Sequence, residues 1–147
     1  MIAATTIMIT MGLGTQPAWA DYDGPSCRIS AGRLDTPTAY QCETAAIIPH
    51  NSELWVRVHL MACGAGMTRA VLRNLTSGEI VGGPYTLTGR VDQWDNPLCN
   101  WSDRTVYGMQ YRNYYRLEAE LAYHSGPFVG RVRICNFTYD PSDGRTC

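Results

Sequence analysis

Residues 113–123 read NYYRLEAELAY, and their side chains alternate between an apolar and a polar face. A period of two is the spacing of a β-strand that has one buried and one solvated face. Residues 53–63 read ELWVRVHLMAC and repeat the pattern, with branched side chains on one face and Arg57 and His59 on the other. These two segments are the clearest strands of the chain, and they predict a fold built from sheet.

Weaker strand patterns lie between turn residues along the rest of the chain. They cover residues 67–75, 79–81, 85–91, 104–111 and 128–135. Turns or loops are predicted between them, where glycine, proline and short polar residues are concentrated, at residues 64–66, 76–78, 82–84, 92–103 and 124–127. No segment has the period of an amphipathic helix. About seven short strands predict an all-β fold, either a small antiparallel β-sandwich or a partly open barrel.

The amino-terminal residues have the features of an export signal. An apolar run covers residues 2–14, and Ala18 and Ala20 offer small side chains where signal peptidase requires them. The run is shorter than the roughly 20 apolar residues that span a bilayer, so we expect no membrane insertion. We therefore assign residues 1–20 to a signal peptide, residues 21–52 to an irregular amino-terminal arm and residues 53–147 to a β-sandwich-like domain.

All six cysteines follow the expected signal peptide: Cys27, Cys42, Cys63, Cys99, Cys135 and Cys147. An even number of cysteines in an exported domain is typical of a disulfide framework, which predicts a secreted, extracellular protein. None of them forms a C-x-x-C pair, which argues against a zinc or redox site. Six cysteines allow fifteen connectivities. Among these we prefer the pairing of sequence neighbours, with Cys147 returning to Cys135.

The charge pattern argues against two classes of partner. The formal net charge is −1, and acidic and basic residues are interspersed without a basic stripe or a polybasic cluster. We therefore expect neither nucleic-acid binding nor attachment to an anionic membrane. The 12 basic residues are all arginine, a bias typical of GC-rich genomes and hence of actinobacteria.

Catalytic and metal sites have little support in the sequence. The histidines are His50, His59 and His124, and no two of them have the spacing of a metal-ligand pair. Nucleophile elbows, phosphate-binding loops and dinucleotide fingerprints are absent as well. We therefore predict no catalytic residue, no metal and no cofactor.

One enzymatic alternative stays open, a small secreted hydrolase or ribonuclease-type toxin. It would use Glu118 or Glu120 as general base and His124 as general acid, with Arg131 or Arg133 holding a phosphate. The same residues are ordinary for the solvated face of a strand. A protease inhibitor is a further alternative, because rigid disulfide-pinned loops suit that function.

Tyrosine and arginine, which are enriched at protein interfaces, are concentrated in one third of the chain. The predicted partner-binding residues there are Tyr107, Tyr111, Arg112, Tyr114, Tyr115 and Arg116, and those in the arm are Asp21, Tyr22 and Asp23. Strand propensity alone also accounts for tyrosines in a sheet. Trp94 and Trp101 are candidates for stacking on a sugar ring, although Cys99 between them equally indicates a pinned structural loop.

A small exported β-domain with six cysteines, no lysine and a preceding irregular arm resembles the UmbB-type adaptor subunits of the umbrella toxin particles of Streptomyces and related actinobacteria. The resemblance is one of layout and extends over residues 21–147. It implies that the protein links a lectin subunit to a large toxin subunit. It also implies that residues 21–41 correspond to the arm that is inserted into a partner.

The sequence thus predicts a secreted, non-enzymatic adaptor whose partner is another extracellular protein. A carbohydrate-binding, lectin-like module that uses Trp94, Trp101 and the tyrosines is the alternative from a different class.

Overall fold

A computed structural model describes residues 24–32, 37–49 and 54–135. These residues form strands and connecting loops without a helix, and the strands are β1 (Ser26–Ala31), β2 (Gln41–Glu43), β3 (Val56–Asn74), β4 (Ile80–Thr88), β5 (Arg90–Val91), β6 (Pro97–Val106) and β7 (Tyr115–Cys135). They make one antiparallel sheet in the order β1-β7-β3-β6-β5, in which β2 also pairs with β7 and β4 with β3. The sheet is not closed, because β1 and β5 stand at its two ends. The all-β, seven-stranded prediction is confirmed.

Two long strands, β3 and β7, form the centre of the sheet. They pair from Arg57 opposite Cys135 to Asn74 opposite Tyr115. Residues 64–66 and 124–127, which the sequence predicts as breaks, lie inside these strands. The register shifts at Gly64, where a side chain would collide with the backbone of Pro127. Glycine here admits a bulge, which bends a strand without ending it.

The bend folds the sheet onto itself. Val56 and Leu72 are 16 positions apart on β3, which corresponds to roughly 50 Å of straight strand, yet both belong to one buried cluster. That cluster also contains Leu117 from one half of β7 and Val132 from the other. One layer therefore holds the first half of β3 and the second half of β7, with β1 and β6, and the opposite layer holds the other halves, with β2 and β4.

Strand boundaries in the second half of the chain differ from the prediction. Residues 97–103, predicted as part of a loop, belong to β6, and residues 107–111, predicted as strand, belong to the loop that follows it. The reason is long-range pairing. β6 pairs with β3 from Cys99 opposite Cys63 to Val106 opposite Val56. This register cannot be predicted from the local sequence of β6.

The segment predicted as an irregular arm supplies β1 and β2, and both pair with β7. Ile29 and Ala31 of β1 are buried in the core. The residues 24–32 and 37–49 of this segment are therefore part of the folded body. The signal peptide prediction, residues 1–20, lies outside the described residues.

Disulfides link strands of the sheet. Cys27–Cys42 joins β1 to β2, and Cys63–Cys99 joins β3 to β6, so two of the expected sequence-neighbour pairs are confirmed. Cys135 is also disulfide-bonded, while the expected return of Cys147 lies outside the described residues. The disulfides indicate an extracellular or otherwise oxidising environment. Within residues 24–32, 37–49 and 54–135, no helix has the length and apolarity needed to cross a membrane.

Candidate functional site

The loop between β6 and β7, residues 107–114, is the most aromatic exposed segment of the described structure, and we call it the tyrosine loop. The side chains of Tyr107, Tyr111 and Tyr114 are 68%, 64% and 51% exposed. Arg112 adopts a positive φ of 66° and places its guanidinium 5.4 Å from the centre of the Tyr111 ring. Four of the predicted partner-binding residues therefore share one exposed loop.

The tyrosine loop is pinned to the body from within. Met109 is buried in the core, and its backbone N–H donates to the Leu54 carbonyl at 2.8 Å. The Gln110 backbone N–H donates to the hydroxyl of Tyr115 at 2.7 Å. Asn113 donates its side-chain N–H to Oε1 of Gln110 at 2.8 Å. These bonds anchor the backbone of the tyrosine loop to the folded body.

A neighbouring hairpin turn supports the other end of the loop. The Tyr114 backbone N–H donates to Oγ1 of Thr76 at 3.1 Å, and the Tyr114 carbonyl accepts from the Leu75 N–H at 2.8 Å. The turn itself is held by Asn74, whose side-chain oxygen accepts from the N–H groups of Thr76 and Ser77. Residues 74–78 and 107–114 therefore form one connected surface.

Two further residues predicted to bind a partner make contacts within the domain. Tyr115 is 1% exposed and lies in the core, where its hydroxyl supports the tyrosine loop from below. Arg116 is ion-paired with Glu43 at 2.7 Å and with Glu118 at 2.8 Å. The predicted arm residues Asp21, Tyr22 and Asp23 lie outside the described residues.

The residues of the hydrolase alternative are spread over the sheet. Glu118 accepts hydrogen bonds from Arg73 and Arg116, and the Arg73 guanidinium in particular holds the pKa of Glu118 below its ordinary value, against the opposing effect of partial burial. Glu120 is ion-paired with Arg69 at 3.1 Å. His124 lies six positions beyond Glu118 and four beyond Glu120, roughly 20 Å and 13 Å along a strand. The structure does not bring this acid and base together.

Both tryptophans proposed for sugar stacking are exposed, Trp94 by 74% and Trp101 by 65%. Trp94 lies in a tight turn in which Asp92 Oδ1 accepts from the backbone N–H groups of Trp94 and Asn96. The Asn96 side chain makes the largest contribution to lowering the pKa of Asp92. Trp101 lies on β6, opposite Met61 of β3. The two indoles thus stand on different elements.

A second surface was not recognised from the sequence, and we call it the arginine face. It lies on the outer side of the layer that contains β1, and cross-strand pairing arranges it in two rows: Arg28, Arg131, Met61 and Trp101 in one, and Ser26, Arg133, His59 and Asp103 in the other. The alternation of β7 indicated that Arg131 and Arg133 point outward. Only the register shows that Arg28 joins them.

His59 lies close to several positively charged side chains on this face. Burial is the main cause that lowers the pKa of His59 below 6.5, and Arg133, Arg57 and Arg131 lower it further. Nδ1 of His59 makes a direct hydrogen bond with a carboxylate oxygen of Asp103. The Arg57 guanidinium lies 5.8 Å from the centre of the Trp55 ring. Asp103 is thus already engaged within the face.

The part of the chain that the structure describes contains no group of three or more His, Cys, Asp or Glu residues placed to hold a metal ion. No protein-family model matches the sequence, and a comparison with curated proteins finds no match.

Proposed function

We propose that this protein is a secreted, non-enzymatic adaptor that binds another extracellular protein through the tyrosine loop. The observation that carries the proposal is the display of Tyr107, Tyr111 and Tyr114 on a loop that is pinned to the core at Met109. Tyrosine combines a large apolar area with a polar hydroxyl, and together with arginine it dominates the binding energy of many interfaces.

Pre-organisation gives this loop an advantage over a flexible aromatic segment. Ordering of loops and side chains on binding costs free energy, at about 0.5–1.5 kcal/mol for each immobilised side chain. The hydrogen bonds of Gln110, Asn113 and Tyr114 hold the loop backbone, so the backbone part of this ordering precedes binding. A partner therefore gains the contact area of three aromatic rings at a reduced entropic cost.

Secretion is supported by the export signal predicted in residues 1–20 and by the disulfides, which need an oxidising compartment. The likeness to adaptor subunits of umbrella toxin particles suggests the kind of partner. It would be a large toxin or lectin subunit of a secreted particle.

An experiment on the segment that corresponds to an inserted arm has to leave the sheet intact. Removing residues 21–41 would delete β1 together with Cys27, and it would therefore damage the sheet and the Cys27–Cys42 disulfide. A deletion of residues 21–23 leaves β1 intact. If the arm contributes to binding, this short deletion weakens partner capture while the domain stays folded.

The main test is affinity capture of the tagged protein from its own culture supernatant. The variant carries Tyr107→Ala, Tyr111→Ala and Tyr114→Ala. We expect it to lose at least about tenfold of the captured partner, because each aromatic anchor contributes on the order of 1–2 kcal/mol. The matched control carries Tyr40→Ala and Tyr123→Ala, which remove exposed tyrosines elsewhere on the surface. Equal capture by both variants would refute the proposal.

A further inference from the structure

Arg28 and Arg131 are direct cross-strand neighbours on the arginine face. Directly opposed like charges destabilise an antiparallel pair. Arg131 donates to Oγ of Ser26 at 3.1 Å and 3.3 Å, which satisfies two of its N–H groups but neutralises no charge. Among the described residues, no carboxylate forms an ion pair with either guanidinium. The positive charges of Arg28 and Arg131 therefore lie next to each other on the outer side of the sheet.

On the outer face of the opposite layer, the arginines have acidic partners. They are each ion-paired with a glutamate: Arg69 with Glu120 at 3.1 Å, Arg73 with Glu118 at 2.8 Å and Arg116 with Glu43 at 2.7 Å. The contrast between the two faces indicates that the charge of Arg28 and Arg131 is kept available for an external anion.

An open cleft of about 470 Å³ lies at this arginine pair, lined by Ser26, Cys27, Arg28, Met61, Val129 and Arg131. A second depression of about 230 Å³ adjoins it and shares Arg28 and Val129. The pair therefore borders space that accommodates a group larger than a single water or inorganic ion. Guanidinium groups hold carboxylates, sulfates and phosphates through short charge-assisted hydrogen bonds.

Trp101 ends the same row, three strand spacings from Arg28, or roughly 14 Å across the sheet. Met61 stands between the arginine pair and this indole. An exposed aromatic face in line with a cation pair suits a ligand that combines negative groups with rings whose C–H groups form an apolar face. From this geometry we propose that the arginine face binds an acidic polysaccharide, with a carboxylate or sulfate on Arg28 and Arg131 and a sugar ring on Trp101.

A nucleic acid suits the face less well. Nucleic acids carry one phosphate charge on every nucleotide, and proteins that bind them neutralise several phosphates with a series of cations. Here the second row of the face contains the carboxylate of Asp103, and the protein as a whole has a net charge of −1. A polymer whose negative charges are farther apart can place one of them on the arginine pair without bringing another close to Asp103. The site is separate from the tyrosine loop, so its test is independent of the adaptor proposal.

The test measures binding of the full disulfide-bonded protein to hyaluronate, which carries a carboxylate on alternate sugars, and to a lightly sulfated dextran, neutral dextran and single-stranded RNA by titration calorimetry. We expect binding to the carboxylated or the sulfated polymer, and the stronger of the two identifies the anion. Binding should weaken as ionic strength rises, because the arginines are exposed to solvent. Tighter binding of RNA, or equal binding of neutral dextran, would overturn the proposal.

Paired variants locate the site. Arg28→Gln with Arg131→Gln should weaken binding of the acidic polymer at least about tenfold, since hydrogen bonds to charged groups are the strong ones. Arg90→Gln with Arg104→Gln removes the same charge from other exposed positions and should leave affinity within about twofold of the parent. Equal losses in the two variants would show that binding depends on overall charge, and would contradict the site.

A tryptophan pair tests the stacking contact in the same way. Trp101→Ala should weaken binding of the acidic polymer several-fold, and Trp94→Ala, which removes an indole from a different element, should not.

The melting temperature gives a readout for folding and binding together. The acidic polymer should raise the melting temperature of the parent protein by more than that of the Arg28 and Arg131 variant, because stabilisation by a ligand grows with its affinity for the folded state. An unchanged parent melting temperature at saturating polymer would overturn the proposal.

Discussion

Thr68 of β3 and Gly130 of β7 face each other across the core, and a side chain on Gly130 would overlap the Thr68 hydroxyl. The two residues belong to opposite layers, since Thr68 pairs with Leu121 while Gly130 pairs with Ala62. The same hypothetical side chain would also collide with Ile29 of β1. At this point the two layers of the folded sheet pack directly against each other.

Gly130→Ala should lower the free energy of unfolding by about 1–3 kcal/mol, the usual cost of overfilling a packed core. Urea denaturation measures the change. Gly126→Ala on the same strand is the matched control, because a side chain there would lie an ordinary 3.5 Å from the Ala65 side chain. A control that is as destabilised as Gly130→Ala would mean that the layers do not meet at Thr68.

Thr68→Val should raise the free energy of unfolding by about 1 kcal/mol, since it replaces a buried hydroxyl with an isosteric methyl group. Within the described residues, the Thr68 hydroxyl has no hydrogen-bond partner. Thr44→Val is the opposite case, because the buried Thr44 hydroxyl accepts from the Leu117 N–H at 3.0 Å. Calorimetric melting should show a gain for the first variant and a loss for the second, and two losses would contradict the assignment.

Glu118 should contribute to the pH dependence of stability. Its pKa in the folded protein lies below the ordinary 4.5 because Arg73 and Arg116 donate to it. A depressed folded-state pKa means that the contribution is present above the unfolded value and is lost as the pH falls through the folded one. Glu118→Gln should therefore flatten the decline in unfolding free energy below pH 4.5, by less than about 1 kcal/mol because the group is partly solvated.

Glu79→Gln is the control for this titration, since the exposed side chain of Glu79 in the hairpin turn accepts from the Ser77 hydroxyl and not from an arginine. Urea unfolding from pH 3 to pH 7 measures both variants. An identical pH profile for Glu118→Gln and the parent protein would show that the arginine contacts do not persist in solution.

Cys27→Ala with Cys42→Ala should cost about 3 kcal/mol of stability. The disulfide closes a segment of 15 residues, and restricting such a loop in the unfolded chain accounts for a value of this size. It also joins the two short strands that flank β7. Denaturant unfolding under oxidising conditions measures the loss, and a stability unchanged from that of the parent would contradict this role.

Tyr115→Phe should loosen the tyrosine loop while leaving the core filled. The substitution removes the hydroxyl that accepts from the Gln110 N–H, at a cost of about 1 kcal/mol. Hydrogen exchange at Gln110 should accelerate, and partner capture should fall although no exposed tyrosine is lost. Capture that stays intact while exchange accelerates would show that pre-organisation of the loop does not matter for binding.

The sequence by itself determined the strand character of the chain and the two faces of its central strands. A period of two is local, so it could be read for residues 53–63 and 113–123 without knowledge of their partners. The same alternation placed Tyr115 on the apolar face with Leu117, and the structure confirms this placement. The concentration of tyrosines in this part of the chain had instead suggested that Tyr115 binds a partner. Cysteine number and order likewise anticipated the pairs Cys27–Cys42 and Cys63–Cys99.

Only the tertiary structure decided where strands continue and which residues meet. Glycine permits both a turn and a bulge, so the choice at Gly64 depends on hydrogen bonds that β3 makes with a strand about sixty residues away. Pairing between distant strands also decides which residues share a surface. Arg28 and Arg131 are separated by most of the chain, and the register of β1 on β7 makes them neighbours. Strand alternation shows which side a residue faces, whereas pairing between distant strands decides what it faces.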